Sequence, residues 1–191
     1  VSEPAVSHYR LAAHLGLALL IFAALLWTSL DLLKRPVEKA AQGSLTFGWV
    51  FLLLLGVQII FGAFVAGLDA GLAYNTWPLM DGKWVPDALF ESRDVFYDTL
   101  SVQWLHRMLA YGVAVWAGIW AWRSWSAHKL LSVVLIIAVI VQIVLGIMTL
   151  LAFVPVGLGT MHQGGAVVVL AISLALMHHL KAVSYTHLRA H

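Results

Sequence analysis

The chain has 191 residues, 62% of them hydrophobic and only 10% charged, with a formal net charge of +2; a soluble domain carries about 25% charged residues. This excludes a soluble enzyme, and the small net charge gives no reason to expect a nucleic-acid partner. There is no cysteine, so disulfides, thiolate metal centres and thiol catalysis are excluded as well.

The opening VSEPAVSHYRLAAHLG has no basic segment followed by a small-residue cleavage site, so no signal peptide is expected. It reads as a loop entering a helix already in progress, as in a chain that begins within a larger protein. A membrane span needs about 20 mainly apolar residues, and five stretches qualify, at roughly 9–30, 46–67, 100–122, 130–153 and 157–180. The expected fold is an all-α integral membrane protein with five transmembrane helices. Between the second and third, residues 68–98 hold two prolines, acidic residues and aromatic residues, and predict a surface loop with a short interfacial segment. The tail at 182–191 is polar and patternless after an apolar helix. It reads as an artefactual extension, and His187 and His191 within it are given no function.

Lys and Arg set orientation. Lys34, Arg35 and Lys39 follow the first span, Arg123 and Lys129 the third, and Lys181 the fifth. On the opposite side Arg10, Lys83 and Arg93 are diluted by Asp69, Asp81, Asp87, Glu91, Asp94 and Asp98. The N-terminus and loop 68–98 are therefore expected outside, and the loops after spans one, three and five, with the C-terminus, on the cytoplasmic (or matrix) side. Trp77 and Trp84 suit the outer interface, and Trp120, Trp122 and Trp125 the inner one.

With this topology His14, His106 and His162 each lie some ~7–10 Å below the outer boundary, at 1.5 Å per residue. Helix neighbours three and four residues on share a face. Beyond His162 they are Gly165 and Ala166, and beyond His106 there is Ala110, with Ala114 one turn further. Small residues there leave room for something flat and wide, and a haem held by imidazoles from two facing helices fits. Arg107, toward the polar edge, would then pair with a propionate. Plain interhelical hydrogen bonding and a proton or metal-ion pathway remain open for these histidines. Zinc suits the pattern less, because no carboxylate or cysteine lies at ligand spacing. His178 and His179, at the inner end of the fifth span, and His128, in an inner loop, read as interface residues. His8 is expected outside the bilayer.

Two internal echoes stand out. HLGLALLIFAALL from His14 weakly matches HQGGAVVVLAISLAL from His162. QIIFGAFVAGL (Gln58, Gly62) and QIVLGIMTLL (Gln142, Gly146) share Q-x-x-x-G. Chance in a low-diversity apolar alphabet is one reading. The other is an up-down bundle in which spans three and five hold ligands while the glycines of spans two and four allow close backbone approach. Span one would then close a preceding bundle whose other helices are not in this chain.

The strings SHYRLAAHLG, GAFVAGLDAGLAYNTWPLMDGKWVP, VQWLHRMLAY and TMHQGGAVVVLA together resemble haem A synthase in its proteobacterial and mitochondrial form, from about residue 6 to 181. GLDAGLAYNTWPLM is the most specific, since a polar loop has no packing reason to look that way. The resemblance implies two four-helix bundles, each with a histidine pair, that convert haem O to haem A for cytochrome c oxidase assembly. On that mapping residues 1–44 hold the last helix of the N-terminal bundle and an inner loop. Residues 45–181 form the C-terminal antiparallel four-helix bundle. His106 and His162 match its haem b ligands, and His14 matches a histidine that handles the substrate haem.

The family's first three helices, their histidine and a glutamate thought to act in the oxidation have no counterpart here. No glutamate lies inside any of the five spans, and no catalytic residue is assigned. The resemblance thus implies a fragment that binds haem b without making haem A. Asn75, Thr76, Trp77 and Pro78 would cap the haem edge or anchor the loop at the interface. Its implied setting is the bacterial inner membrane, with the lipid bilayer, haem O, haem O synthase, the oxidase assembly machinery and a second copy of the chain as partners. A bis-histidine cytochrome b serving quinol would share the ligands but not the NTWPLM loop. A histidine-relay transporter would lack haem altogether.

Overall fold

In the computed structural model of the protein, residues 7–33 and 44–188 are described. They form six helices: α1 (His8–Leu32), α2 (Ser44–Gly67), α3 (Ala70–Ala73), α4 (Thr99–Ser124), α5 (Lys129–Leu151) and α6 (Val156–Leu188). No strand occurs among the described residues, only an isolated bridge between Met80 and Lys83. Lys34, Arg35 and Lys39, and thus the basic inner loop, lie outside the described residues, as do 1–6 and 189–191. The α6 backbone stays helical to Leu188, since no glycine or proline interrupts it after Pro155 and Gly165.

Four helices, α1, α2, α5 and α6, are long and apolar enough to cross a membrane. The remaining predicted span, α4, matches them in length at 26 residues but not in apolarity. Gln103, His106 and Arg107 sit in its N-terminal half, and inserting ionisable groups into a membrane costs at least a few kcal/mol. Its start is well specified. The Asp98 carboxylate accepts from the backbone N–H groups of Leu100 and Ser101 at 3.4 and 3.0 Å, satisfying donors that a helix N-terminus otherwise leaves bare.

The main core lies toward the end where the start of α2 meets the end of α4. Phe51, Trp120, Leu135, Leu176 and Met177 are fully buried there among α2, α4, α5 and α6. The Phe51 and Trp120 rings lie 5.3 Å apart, and Ser44 Oγ donates to the Arg123 carbonyl (2.9 Å) and Trp116 Nε1 to that of Phe47 (2.9 Å). The start of α2 therefore meets the end of α4, and the two run in opposite senses. Gly48 is what lets them close: a Cβ there would run into Met177 Sδ and Trp120. A smaller cluster of Ala12, Ala63, Phe64 and Val102 binds α1 to the outer end of α2.

Loop 68–98 is built rather than loose. Asp81 and Gly82 take left-handed φ of 53° and 75°, the pair of values a tight two-residue hairpin turn demands, and Met80 and Lys83 exchange backbone hydrogen bonds of 2.9 and 3.1 Å across it. The Trp77–Pro78 bond is cis. The expected short segment is α3.

Candidate functional site

His106 and His162 each lie about two turns into α4 and α6, counted from their N-terminal ends. Each faces one of the two Q-x-x-x-G segments. The Gln58 amide nitrogen of α2 lies 3.2 Å from His106 Nδ1 and 3.3 Å from Nε2. That of Gln142 of α5 lies 3.1 Å from His162 Nδ1, and also donates to the His162 carbonyl at 2.7 Å. Four residues after each glutamine, on the same face, comes the glycine that makes room for the ring. A Cβ on Gly62 would stand 3.2 Å from His106 Cε1, and one on Gly146 only 2.8 Å from His162 Cε1. The repeat read from sequence thus sits opposite the two histidines, one copy against each. The glycines admit the rings. The glutamines, which periodicity alone left without a role, hydrogen-bond them.

Small residues beyond His162 do not all leave open space. Any Cβ on Gly165 would collide with Gln142 Oε1, so that gap houses the carboxamide. No cluster of three or more His, Asp or Glu suited to a metal ion occurs among the described residues. Two imidazoles without a carboxylate partner do not make a tetrahedral zinc centre, but they are the donor set of a six-coordinate haem iron. Gln58 Oε1 and Gln142 Oε1 are buried without a partner. Two imidazoles, each with a glycine that makes room for its ring, fit a haem.

Arg107 is bonded to the loop. Its Nη2 donates to the Tyr74 carbonyl (2.8 Å), and its Nη1 to those of Thr76 (2.8 Å) and Leu79 (3.4 Å), while Nε is buried without a partner. From the same helix Gln103 Nε2 donates to the Tyr74 carbonyl (3.1 Å) and Trp104 Nε1 to that of Trp84 (2.9 Å). Asn75 Nδ2 reaches the carbonyls of Gly71 (2.5 Å) and Leu150 (3.0 Å). The loop is thereby stapled across the outer ends of α4 and α5. Trp77 stands 44% exposed on it. Arg107→Leu should free this segment. Losing these bonds to a charged group costs about 2 kcal/mol or more, so amide exchange over 74–85 should rise about 30-fold with helix content unchanged. Unaltered exchange there would mean the loop holds itself.

His14 lies exposed on α1, on a face shared with exposed Leu17 and Ile21, and is not brought to His106 or His162. His8 is buried at the start of α1 (3% exposed), ringed by Tyr9, Phe64 and Tyr97. At the far end of the helices His128 caps α5, its Nδ1 accepting from the Leu131 N–H at 3.3 Å, and its ring lies 4.7 Å from that of His179, tilted by 57°. His178 Nε2 meets Asp31 of α1 at 2.7 Å.

The sequence profile of the cytochrome oxidase assembly protein family COX15-CtaA matches residues 1–174. The chain is 45% identical over 183 residues to a protein named heme A synthase from Parvibaculum lavamentivorans, covering 92% of this chain and 52% of that protein. It is 46% identical to the heme A synthase of Rhodospirillum centenum, covering 92% and 50%, and 40% identical to heme A synthase COX15 of Arabidopsis thaliana, covering 99% and 45%. The chain thus spans about half the length of the curated relatives it matches. No solved structure matches it.

Proposed function

The chain belongs to the COX15-CtaA family of cytochrome oxidase assembly proteins, and we propose that it is the haem b-holding half of a haem A synthase. That enzyme oxidises a methyl group of haem O to the formyl of haem A for cytochrome c oxidase biogenesis. The observation that carries the reading is the doubled arrangement of Gln58, Gly62 and His106 against Gln142, Gly146 and His162. Such duplication is hard to explain by packing alone, since a packing histidine needs neither a matched glycine nor a matched amide.

On this reading α4 is a span as well, the third of five. In the antiparallel bundle α2, α4, α5 and α6, His106 and His162 would hold haem b, and α1 presents His14 to a preceding bundle that handles haem O. With two imidazole ligands the haem would supply one-electron exchange rather than oxygen chemistry. His106 and His162 bind, Gly62 and Gly146 admit their rings, and the loop held by Arg107 and Asn75 shields the outer edge from water. The protein sits in the bacterial inner membrane with its C-terminus cytoplasmic. It receives haem O from haem O synthase, delivers to the oxidase assembly machinery, and is inactive in haem A formation without the preceding half. A second copy of the chain is a further partner.

Pyridine haemochrome spectroscopy on the purified chain tests this. One haem b per chain with a low-spin bis-imidazole spectrum is expected. A colourless protein, in membranes supplied with haem, would refute it and favour the proton-relay reading.

A further inference from the structure

The two glutamines look equivalent in sequence but are not equivalent in the fold. Gln142 is tied at its amide nitrogen and confined at its oxygen. Its amide N–H must face the His162 carbonyl at 2.7 Å, and its oxygen occupies the place where Gly165 lacks a Cβ. To turn that oxygen toward His162 Nδ1, the side chain would have to give up the bond to α6 and set oxygen against oxygen. Gln58 has no such tie. Among the described residues its amide nitrogen meets only the His106 ring, 3.2 Å from Nδ1 and 3.3 Å from Nε2, and its oxygen is buried and unpartnered. A carboxamide has almost the same shape with oxygen and nitrogen exchanged, so Gln58 alone is free to present either group to its histidine.

An imidazole that ligates iron through Nε2 keeps its proton on Nδ1 and needs an acceptor there. The geometry points to Gln58 as the positioning residue that accepts the Nδ1–H of His106, fixing the ring's tautomer and making it the more basic of two unlike axial ligands, while Gln142 braces α6 at His162. This rests on the haem reading given above. An acceptor on Nδ1 raises imidazole basicity and favours ferric iron. The bundle's apparent two-fold symmetry therefore carries an electronic asymmetry, directed at the ligand on α4.

The test uses the haem-loaded full chain in detergent, with haem content, low-spin electron paramagnetic resonance and redox titration read together. Gln58→Leu should move the ferric–ferrous equilibrium about tenfold toward ferrous, about 59 mV in a one-electron couple. Gln58→Glu, which keeps an acceptor oxygen, should bring it back to or below the original value. Gln142→Leu should leave the potential near the original and lower haem retention instead. The inference is overturned if Gln58→Leu keeps the original potential, if the Leu and Glu variants shift alike, or if both lose haem. Should Gln58→Leu alone lose haem, retention by Gln58→Glu at the original potential upholds it. A haem-replete protein that needs both histidines but ignores Gln58 would leave the haem reading standing and remove only this one.

Discussion

The double variant His106→Ala, His162→Ala is expected to be a helical membrane protein with at least tenfold less haem than the original chain. Replacing even an outer hydrogen-bond partner of a metal ligand costs about 10–100-fold in affinity or activity, so removing both ligands sets a lower bound in that range. Each single variant should lose the low-spin signature, because one imidazole cannot make a six-coordinate site. The helices should survive, since the core of Phe51, Trp120, Leu135 and Met177 lies toward the other end. The variants strand Gln58 and Gln142 without their ring partners, at about 1–3 kcal/mol each. Unchanged haem content in the double variant would place the haem, if any, elsewhere.

The second large effect should come from adding one methyl group. In Gly146→Ala the new Cβ would stand 2.8 Å from His162 Cε1 and 3.4 Å from both ring nitrogens, closer than a ring can tolerate. Either the imidazole turns off its axis or α5 and α6 separate. Overpacking of this kind costs typically about 1–3 kcal/mol, and a misplaced ligand lowers haem retention further. Gly62→Ala presses on His106 at 3.2 Å and should do the same more weakly. The ranking, Gly146 above Gly62, is the informative result. Equal and negligible effects on haem content and thermal midpoint would show that neither glycine sets the room its histidine needs.

Much of this was legible in the sequence because apolar helices announce themselves by length and composition, and the bounds of α1, α2, α5 and α6 fall within a few residues of the predicted spans except where α6 runs on to Leu188. The matching positions of His106 and His162, each about two turns into its helix, followed from counting along helices. What was not legible were the partners that only folding brings together. The Q-x-x-x-G repeat showed in sequence as a place for close helix approach, but which rings entered that space depended on how α2 and α5 rotate. Arg107 showed its charge and depth, which suited a propionate. Its bonds to Tyr74, Thr76 and Leu79 join residues about 30 positions apart through backbone oxygens that leave no trace in the one-letter code. His128 as a cap on α5 was missed for a similar reason, since Ser, Thr, Asn and Asp are the residues that advertise that role.

The grip of Arg107 on the loop has a consequence for how this chain can change over time. All three of its bonds end on main-chain oxygens, and every amino acid carries the same one. Tyr74, Thr76 and Leu79 can therefore be exchanged for other residues without loosening the anchor, so long as the backbone path is kept. The arginine enjoys no such freedom. A lysine ammonium is a point donor without the planar fork that spans several acceptors. Drift at the three loop positions should be tolerated, while the single guanidinium that reads their backbone should be replaceable by nothing else.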